Sequence, residues 1–144
     1  MGQLKTVSLD GLDLVDVTQS DSNMDVSVNF PFSPDFPATT GMELEGGHNV
    51  VYFEIEPGKE LGTHTDSPEE LIVCLEGEGI EGWAGDAEGE LRAGDLAVIP
   101  PMTAHGFRNT GDETARFLGV FSDSTNVSEF EKELEPLGDR IVKV

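Results

Sequence analysis

The fold of this chain is decided by two stretches of sequence, GKELGTHTDSPEELIVCLEG at residues 58–77 and GDLAVIPPMTAHGFRN at residues 94–109. Each stretch holds a short apolar run, LIVCL or LAVI, that is followed by glycine or proline, which is the pattern of a β-strand. Each also holds one of the three histidines of the chain, His64 or His105. The two stretches therefore predict strands that carry the residues best able to do chemistry.

The polar residues of these stretches are suited to binding a metal ion. Asp66 lies two positions after His64, so both side chains point to the same face of an extended chain. Glu70 opens the next strand, and His105 comes from the second stretch. Two imidazoles and one carboxylate leave coordination positions open, a set that suits Fe(II) and also Mn, Ni or Zn. We therefore predict one divalent metal ion per chain.

The spacing of the two stretches resembles the two motifs of the cupin superfamily. The first motif is matched at Gly58, His64, Glu70 and Gly77. The second motif is matched at Gly94, Pro100, His105 and Asn109. Asp66 stands where the first motif has a second histidine, and Met102 replaces the middle glycine of the second. Eight of ten fixed positions therefore agree, and the short connection at residues 78–93 is also typical of the family.

The resemblance implies an all-β fold, a double-stranded β-helix or jelly-roll barrel. It also implies that His64, Glu70 and His105 bind the metal. For Asp66 three roles stay open: a fourth ligand, a hydrogen-bond acceptor that orients His64, or a solvent-facing carboxylate. Small cupins usually pair, so the resemblance further implies a homodimer.

The rest of the chain reads as short strands between turns, at residues 25–30, 49–55, 80–84 and 116–121. The pattern S-x-x-E at Ser128 has the form of a helix capping box, which predicts a short C-terminal helix or tail. We expect a single domain over residues 1–144, with the barrel at about 25–122, N-terminal strands at 1–24 and the C-terminal tail at 123–144.

Other residues are weaker candidates for the site. Seven are predicted to line the pocket: Tyr52, Phe53, Ile72, Cys74, Met102, Phe107 and Phe121. Each of these is more often an ordinary core residue, and Cys74 in particular fits a buried strand. His48, in a Gly-Gly turn, is expected to be an exposed loop residue.

The charge of the chain is extreme, with 29 acidic against 8 basic residues and a formal net charge of −21. Such a chain cannot neutralise phosphates, so nucleic acid is excluded as a partner and an anionic membrane surface is disfavoured. The even spread of acids resembles proteins of salt-loving microbes. The N-terminus has no signal-peptide pattern and no apolar run is long enough to span a bilayer, so we expect a cytoplasmic protein.

Three functions fit these features. The first is an oxygenase in which the open metal site activates dioxygen on a small organic molecule. The second is a metal-dependent isomerase or lyase, in which the metal polarises an oxygen of the substrate. The third is a metal-containing module that binds a small molecule without turnover. The acids are too numerous for one of them to be singled out as a general base.

Overall fold

The computed structural model describes residues 2–144 as two antiparallel six-stranded sheets. The twelve strands are β1 Val15–Thr18, β2 Asp25–Asn29, β3 Asn49–Ile55, β4 Glu60–Asp66, β5 Glu70–Glu76, β6 Ile80–Ala84, β7 Ala87–Leu91, β8 Leu96–Ile99, β9 His105–Asn109, β10 Ala115–Phe121, β11 Val127–Leu134 and β12 Asp139–Lys143. A single 3₁₀ turn, Leu9–Gly11, is the only helical element among the described residues.

The two sheets have interleaved strand orders. One sheet runs β1-β2-β3-β10-β5-β8, and the other runs β12-β11-β4-β9-β6-β7. Successive strands from β3 to β6 alternate between the two sheets, so strands that follow each other in the chain lie in opposite sheets. This is the jelly-roll arrangement. The all-β prediction is therefore confirmed.

The predicted strands at residues 49–55, 80–84 and 96–99 have the bounds that the structure gives them. Inward residues alternate with outward ones along β5, so Glu70, Ile72 and Cys74 are buried on one face. The core between the sheets is built from such inward rows, and within it Phe117 stacks on both Phe53 and Phe107.

The predicted C-terminal helix is wrong, because residues 127–134 form strand β11. Ser128 and Phe130 face inward, and the strand pairs with β4, with Phe130 opposite His64. The turn at residues 136–138 then leads into β12, which pairs back onto β11. The predicted tail therefore supplies two strands of one sheet. None of the helical structure in residues 2–144 is long or apolar enough to cross a membrane.

Candidate metal centre

The candidate centre lies where β4 and β9 cross the inner face of their sheet. The register pairs His64 with His105, so the two imidazoles lie side by side, with ring centroids 4.2 Å apart. Asp66 is two residues after His64 on β4 and shares its inward face, as the sequence predicted. All three side chains are buried, at 7%, 1% and 3% exposure for His64, His105 and Asp66.

Three atoms converge at this point. Asp66 Oδ2 lies 3.2 Å from His105 Nε2 and 3.6 Å from His64 Nε2. Together these three residues offer ligand atoms that all lie within 4.8 Å of one another. Two imidazole nitrogens and one carboxylate oxygen at this spacing could hold a divalent metal ion.

A backbone carbonyl group hydrogen-bonded to Nδ1 fixes the ring orientation of each histidine. His64 Nδ1 lies 2.8 Å from the carbonyl oxygen of Gly62, and His105 Nδ1 lies 2.8 Å from that of Thr103. Because a carbonyl can only accept, each Nδ1 carries the proton and donates it. In the neutral imidazole the lone pair is then on Nε2, which faces the centre. This is the outer-shell arrangement usual for metal-binding histidines.

The centre also contains buried polar atoms that lack a partner. Neither His105 Nε2 nor Asp66 Oδ2 makes a hydrogen bond of good geometry, although both are fully enclosed and they lie 3.2 Å apart. Poorly paired buried polar atoms cost up to about 1–3 kcal/mol each. A metal ion bound to both atoms would remove that cost, so the residues present fit a metal.

The pKa values of the centre are strongly perturbed. Burial alone would lower the pKa of His105, but its contacts with Asp66 and Glu70 outweigh burial and raise that pKa to about 10. Burial alone would raise the pKa of Asp66, but His105 and His64 hold it well below its ordinary value. The Asp66 carboxylate is therefore held in the charged form that a metal ligand requires.

Glu70 lies beside this cluster rather than between the histidines. Its Oε1 is 3.6 Å from His105 Nε2, and burial raises the pKa of its carboxyl group, with a further contribution from the charge of Asp66. Room for the carboxylate depends on Gly119 in β10, where a Cβ would overlap Glu70 Oε2. Glu70 can therefore approach the centre from the opposite sheet.

Asp66 is oriented by a short chain of hydrogen bonds that the sequence did not reveal. Ser128 Oγ donates to Asp66 Oδ1 at 2.5 Å, and Asn126 Nδ2 donates to Ser128 Oγ at 2.8 Å. All three residues are buried. Because Oδ1 is occupied by the hydroxyl group, the other oxygen of Asp66 is left to face the histidines. Only the pairing of β11 with β4 brings Ser128 here, so no local pattern could have indicated it.

An apolar cavity of about 60 Å³ opens above the centre. Its polar lining residues are His64, Asp66, Glu70 and Ser128, and the other lining residues are aliphatic or aromatic. Phe130 stacks on the His64 ring at 4.5 Å between ring centroids and closes one side. The described lining contains no lysine or arginine. The cavity therefore suits a small ligand with a mainly apolar body.

Only some of the residues predicted to line the pocket lie on the wall of this cavity. Phe53 and Phe121 line the cavity. Buried elsewhere in the core are Ile72, Cys74 and Phe107. Tyr52 and Met102 are not among the residues that line the cavity.

Tyr52 is next to Phe53 on β3, so it points to the opposite face, where its hydroxyl group contacts Glu54 and Arg116. Met102 lies in the turn after β8 and is 60% exposed. His48 is exposed in its loop, as expected.

A two-sheet β-barrel with an inward His-His-Asp cluster defines a class of small proteins that could bind a metal within the barrel. This chain belongs to the cupin superfamily: the model of the cupin domain matches residues 51–121, which include every strand that carries His64, Glu70 and His105. No curated protein matches the chain.

Solved structures share the fold. A cupin 2 conserved barrel domain protein from Rhodopseudomonas palustris is 26% identical, with 77% of this chain and 71% of that chain covered and a TM-score of 0.61. A polyketide cyclase from Streptomyces resistomycificus is 21% identical, with 83% and 79% covered and a TM-score of 0.62. A predicted oxalate decarboxylase from Thermotoga maritima is 20% identical, with 81% and 96% covered and a TM-score of 0.63. The last two show likeness of fold alone.

Proposed function

We propose that this protein is a metal-dependent oxygenase that acts on a small, mainly apolar organic molecule. The observation that carries the proposal is the convergence of His64 Nε2, His105 Nε2 and Asp66 Oδ2 beside an apolar cavity that His64 and Asp66 line. Two histidines and one carboxylate with open positions form the set typical of non-haem Fe(II) oxygenases.

In this proposal the residues of the chain have separate roles. His64, Asp66 and His105 bind the metal, and Glu70 lies beside them on the facing sheet. The bound metal would supply the redox chemistry with dioxygen. Phe53, Phe121 and the other apolar lining residues hold the substrate body, and Phe130 keeps water from the His64 side.

The lining argues against a strongly anionic substrate. Phosphate groups and dicarboxylates are normally recognised by lysine or arginine, and the described lining has neither. Glu70 and Asp66 would moreover repel an anion in the absence of the metal charge. The isomerase or lyase alternative is therefore less favoured for a phosphorylated sugar, although a neutral carbonyl substrate would fit.

The proposal is tested by identifying the bound metal and by asking whether its coordination sphere has a position open to an added ligand. Protein purified without an affinity metal column would be analysed for metal content, and the apoprotein would be loaded anaerobically with Fe(II). The proposal expects one iron per chain and binding of nitric oxide, a dioxygen surrogate, to that iron. His48→Ala is the matched control, because it removes an exposed histidine away from the centre.

If the native metal were zinc or manganese and the apoprotein had no affinity for Fe(II), the oxygenase proposal would be contradicted and the isomerase or lyase would be favoured. Tight Fe(II) binding without nitric oxide binding would leave a metal-containing module with no site for dioxygen. His105→Ala should lose the metal in either case, because it removes one of the three ligand atoms of the cluster.

A further inference from the structure

The cavity beside the metal centre is smaller than the organic molecule that it is proposed to hold. Its volume is about 60 Å³, whereas sites for small organic ligands usually measure about 300–1,000 Å³. One water molecule takes about 30 Å³ of liquid volume, so a space of this size holds about two waters. An apolar organic ligand can therefore enter only if part of the cavity wall moves.

One part of the wall is carried by an irregular segment of the chain. Phe36 lies in residues 30–48, which join β2 to β3 and form the longest connection between strands within residues 2–144. Every other lining residue lies in a strand or within two residues of one. Irregular connections longer than about 12–15 residues are uncommon, and many of them are lids or binding loops. Phe36 is therefore the lining residue that the sheets hold least.

Phe36 is inserted into the wall as a single side chain. It is 4% exposed, and its ring meets the ring of Phe30 edge-on, with 5.0 Å between the centroids. The residues around it, 34, 35 and 37–39, are all exposed. The loop therefore places one phenyl group in the apolar wall and leaves the rest of its tip in solvent.

The loop at residues 31–41 is closed on itself and is tied to the sheet at one point. At its base, the backbone N–H and the hydroxyl group of Thr40 donate to the carbonyl oxygen of Pro31, at 3.0 and 2.6 Å. Among the described residues, its one hydrogen bond to a strand runs from Nδ2 of the buried Asn29 to the carbonyl oxygen of Ala38, at 2.9 Å. Ala38 itself has a φ of 65°, which a residue with a Cβ rarely adopts. Residues 31–41 thus form an Ω-loop that one side-chain amide holds against the barrel.

We infer that residues 31–41 are a lid over the cavity and that Phe36 is its plug, which controls the entry and the size of the ligand. The inference rests on the proposed function, because it takes this ligand to be the substrate of the metal centre. In the closed state the ring of Phe36 fills space that the ligand takes when the lid is raised. A protein that binds only in its open state shows an affinity reduced by the open fraction, so removal of the plug strengthens binding.

The test uses benzene as an apolar probe, and its affinity and entry rate would be measured by NMR on the chain as purified. Phe36→Ala is compared with Phe121→Ala, which opens space in the same wall but from strand β10. Phe32→Ala is the second control, because it removes a ring from the same loop at a position outside this cavity. Benzene needs neither a particular metal nor dioxygen, so failure of the oxygenase proposal would leave these measurements unchanged.

Phe36→Ala should bind benzene at least about 10-fold more tightly and about 10-fold faster than the unaltered chain, because the plug is gone. Phe121→Ala should gain affinity but not entry rate, because its lid still closes, and Phe32→Ala should match the unaltered chain in both. Phe36→Leu replaces Phe36→Ala if the alanine variant has no native melting curve. Equal entry rates in Phe36→Ala and Phe121→Ala, or no binding of benzene by Phe36→Ala, would overturn the inference.

Discussion

Asp66 stands where the cupin motif has a histidine, and the structure gives it a central position. An aspartate is shorter than a histidine by roughly 2 Å, as bond lengths near 1.5 Å imply, so its carboxylate reaches less far than the imidazole of the motif. In the structure, however, Asp66 Oδ2 is 3.2 Å from His105 Nε2, closer than Glu70 Oε1 at 3.6 Å. The two carboxylates can therefore be ranked by experiment.

We predict that Asp66→Ala removes stoichiometric metal as completely as His64→Ala or His105→Ala. Glu70→Ala should weaken binding less, on the order of 10–100-fold, because Glu70 contacts only one of the histidines. Metal content and affinity of the four variants would be compared in one buffer. If Asp66→Ala kept its metal while Glu70→Ala lost it, the motif position would be the true ligand and the ranking would be reversed.

Ser128 tests whether the orientation of Asp66 matters. Ser128→Ala should lower metal affinity about 10-fold, because Asp66 loses the donor that fixes its Oδ1. Ser128→Thr keeps the hydroxyl group and should restore most of the affinity. The melting temperature of each apoprotein serves as the control. Equal metal affinity in all three proteins would show that Ser128 only fills space.

The residues of the site were predictable to different degrees. His64, Asp66, Glu70 and His105 lie in two compact motifs, so local spacing was enough to select them. Asn126, Ser128 and Gly119 were not selected. Their contribution depends on which strands become neighbours, and strand pairing over such sequence distances leaves no local signal.

At the scale of elements, β11 shows why the capping-box pattern failed. Ser128 can cap a helix only if the next residues turn, but Phe130 and Leu134 are needed in the core and Ser128 beside Asp66. An extended strand that pairs with β4 places all three side chains, Ser128, Phe130 and Leu134, in these buried positions. The apolar residues Val127, Phe130 and Leu134 also recur at a helical spacing, so the local sequence favoured a helix and tertiary pairing overrode it. The central strands carried no such conflict, which is why their bounds were predicted correctly.

The β1–β2 hairpin supplies a prediction about pH. A hydrogen bond with Asp25, partial burial and the charges of Asp25 and Glu56 raise the pKa of Asp16 to about 6, from an ordinary value of 3.8. A raised carboxyl pKa stabilises the folded state below the unfolded pKa, and this stability is lost as the pH rises through about 6. Above that pH, two carboxylates repel each other within the hairpin.

We therefore predict that Asp16→Asn raises the melting temperature at pH 8 and leaves it nearly unchanged at pH 3.5. The expected gain at pH 8 is on the order of 1–3 °C. Thermal melts at the two pH values would measure it. Asp86→Asn, at an exposed turn, removes the same charge away from the hairpin and should show no such pH dependence. A gain of equal size at both pH values would mean that repulsion with Asp25 is not the cause.

At the scale of the whole molecule, the charge of −21 has few internal partners. Among residues 2–144, ion pairs between arginine or lysine and a carboxylate involve only Arg108, Arg116 and Arg140. Apart from the buried Asp66 and Glu70, the remaining acids are exposed or partly exposed, and they repel one another across distances that low salt does not screen. Fold and metal site are set by buried residues, but the net stability of this chain also depends on the surrounding ions.

We predict that the melting temperature rises steeply with KCl and that folding needs molar salt or divalent cations for full stability. Charge repulsion reaches about 10 Å at 0.1 M salt but only about 3 Å at 1 M, so most of the gain should come below 1 M. Thermal melts from 0.05 M to 2 M KCl would measure it, with sucrose as the control for general exclusion of solutes from the protein surface. Reversing the exposed charges Glu88 and Glu90 to lysine on β7 should reduce the salt dependence. Equal melting temperatures in 0.05 M and 2 M KCl would exclude self-repulsion as a determinant of stability, and the acidic surface would then need another explanation.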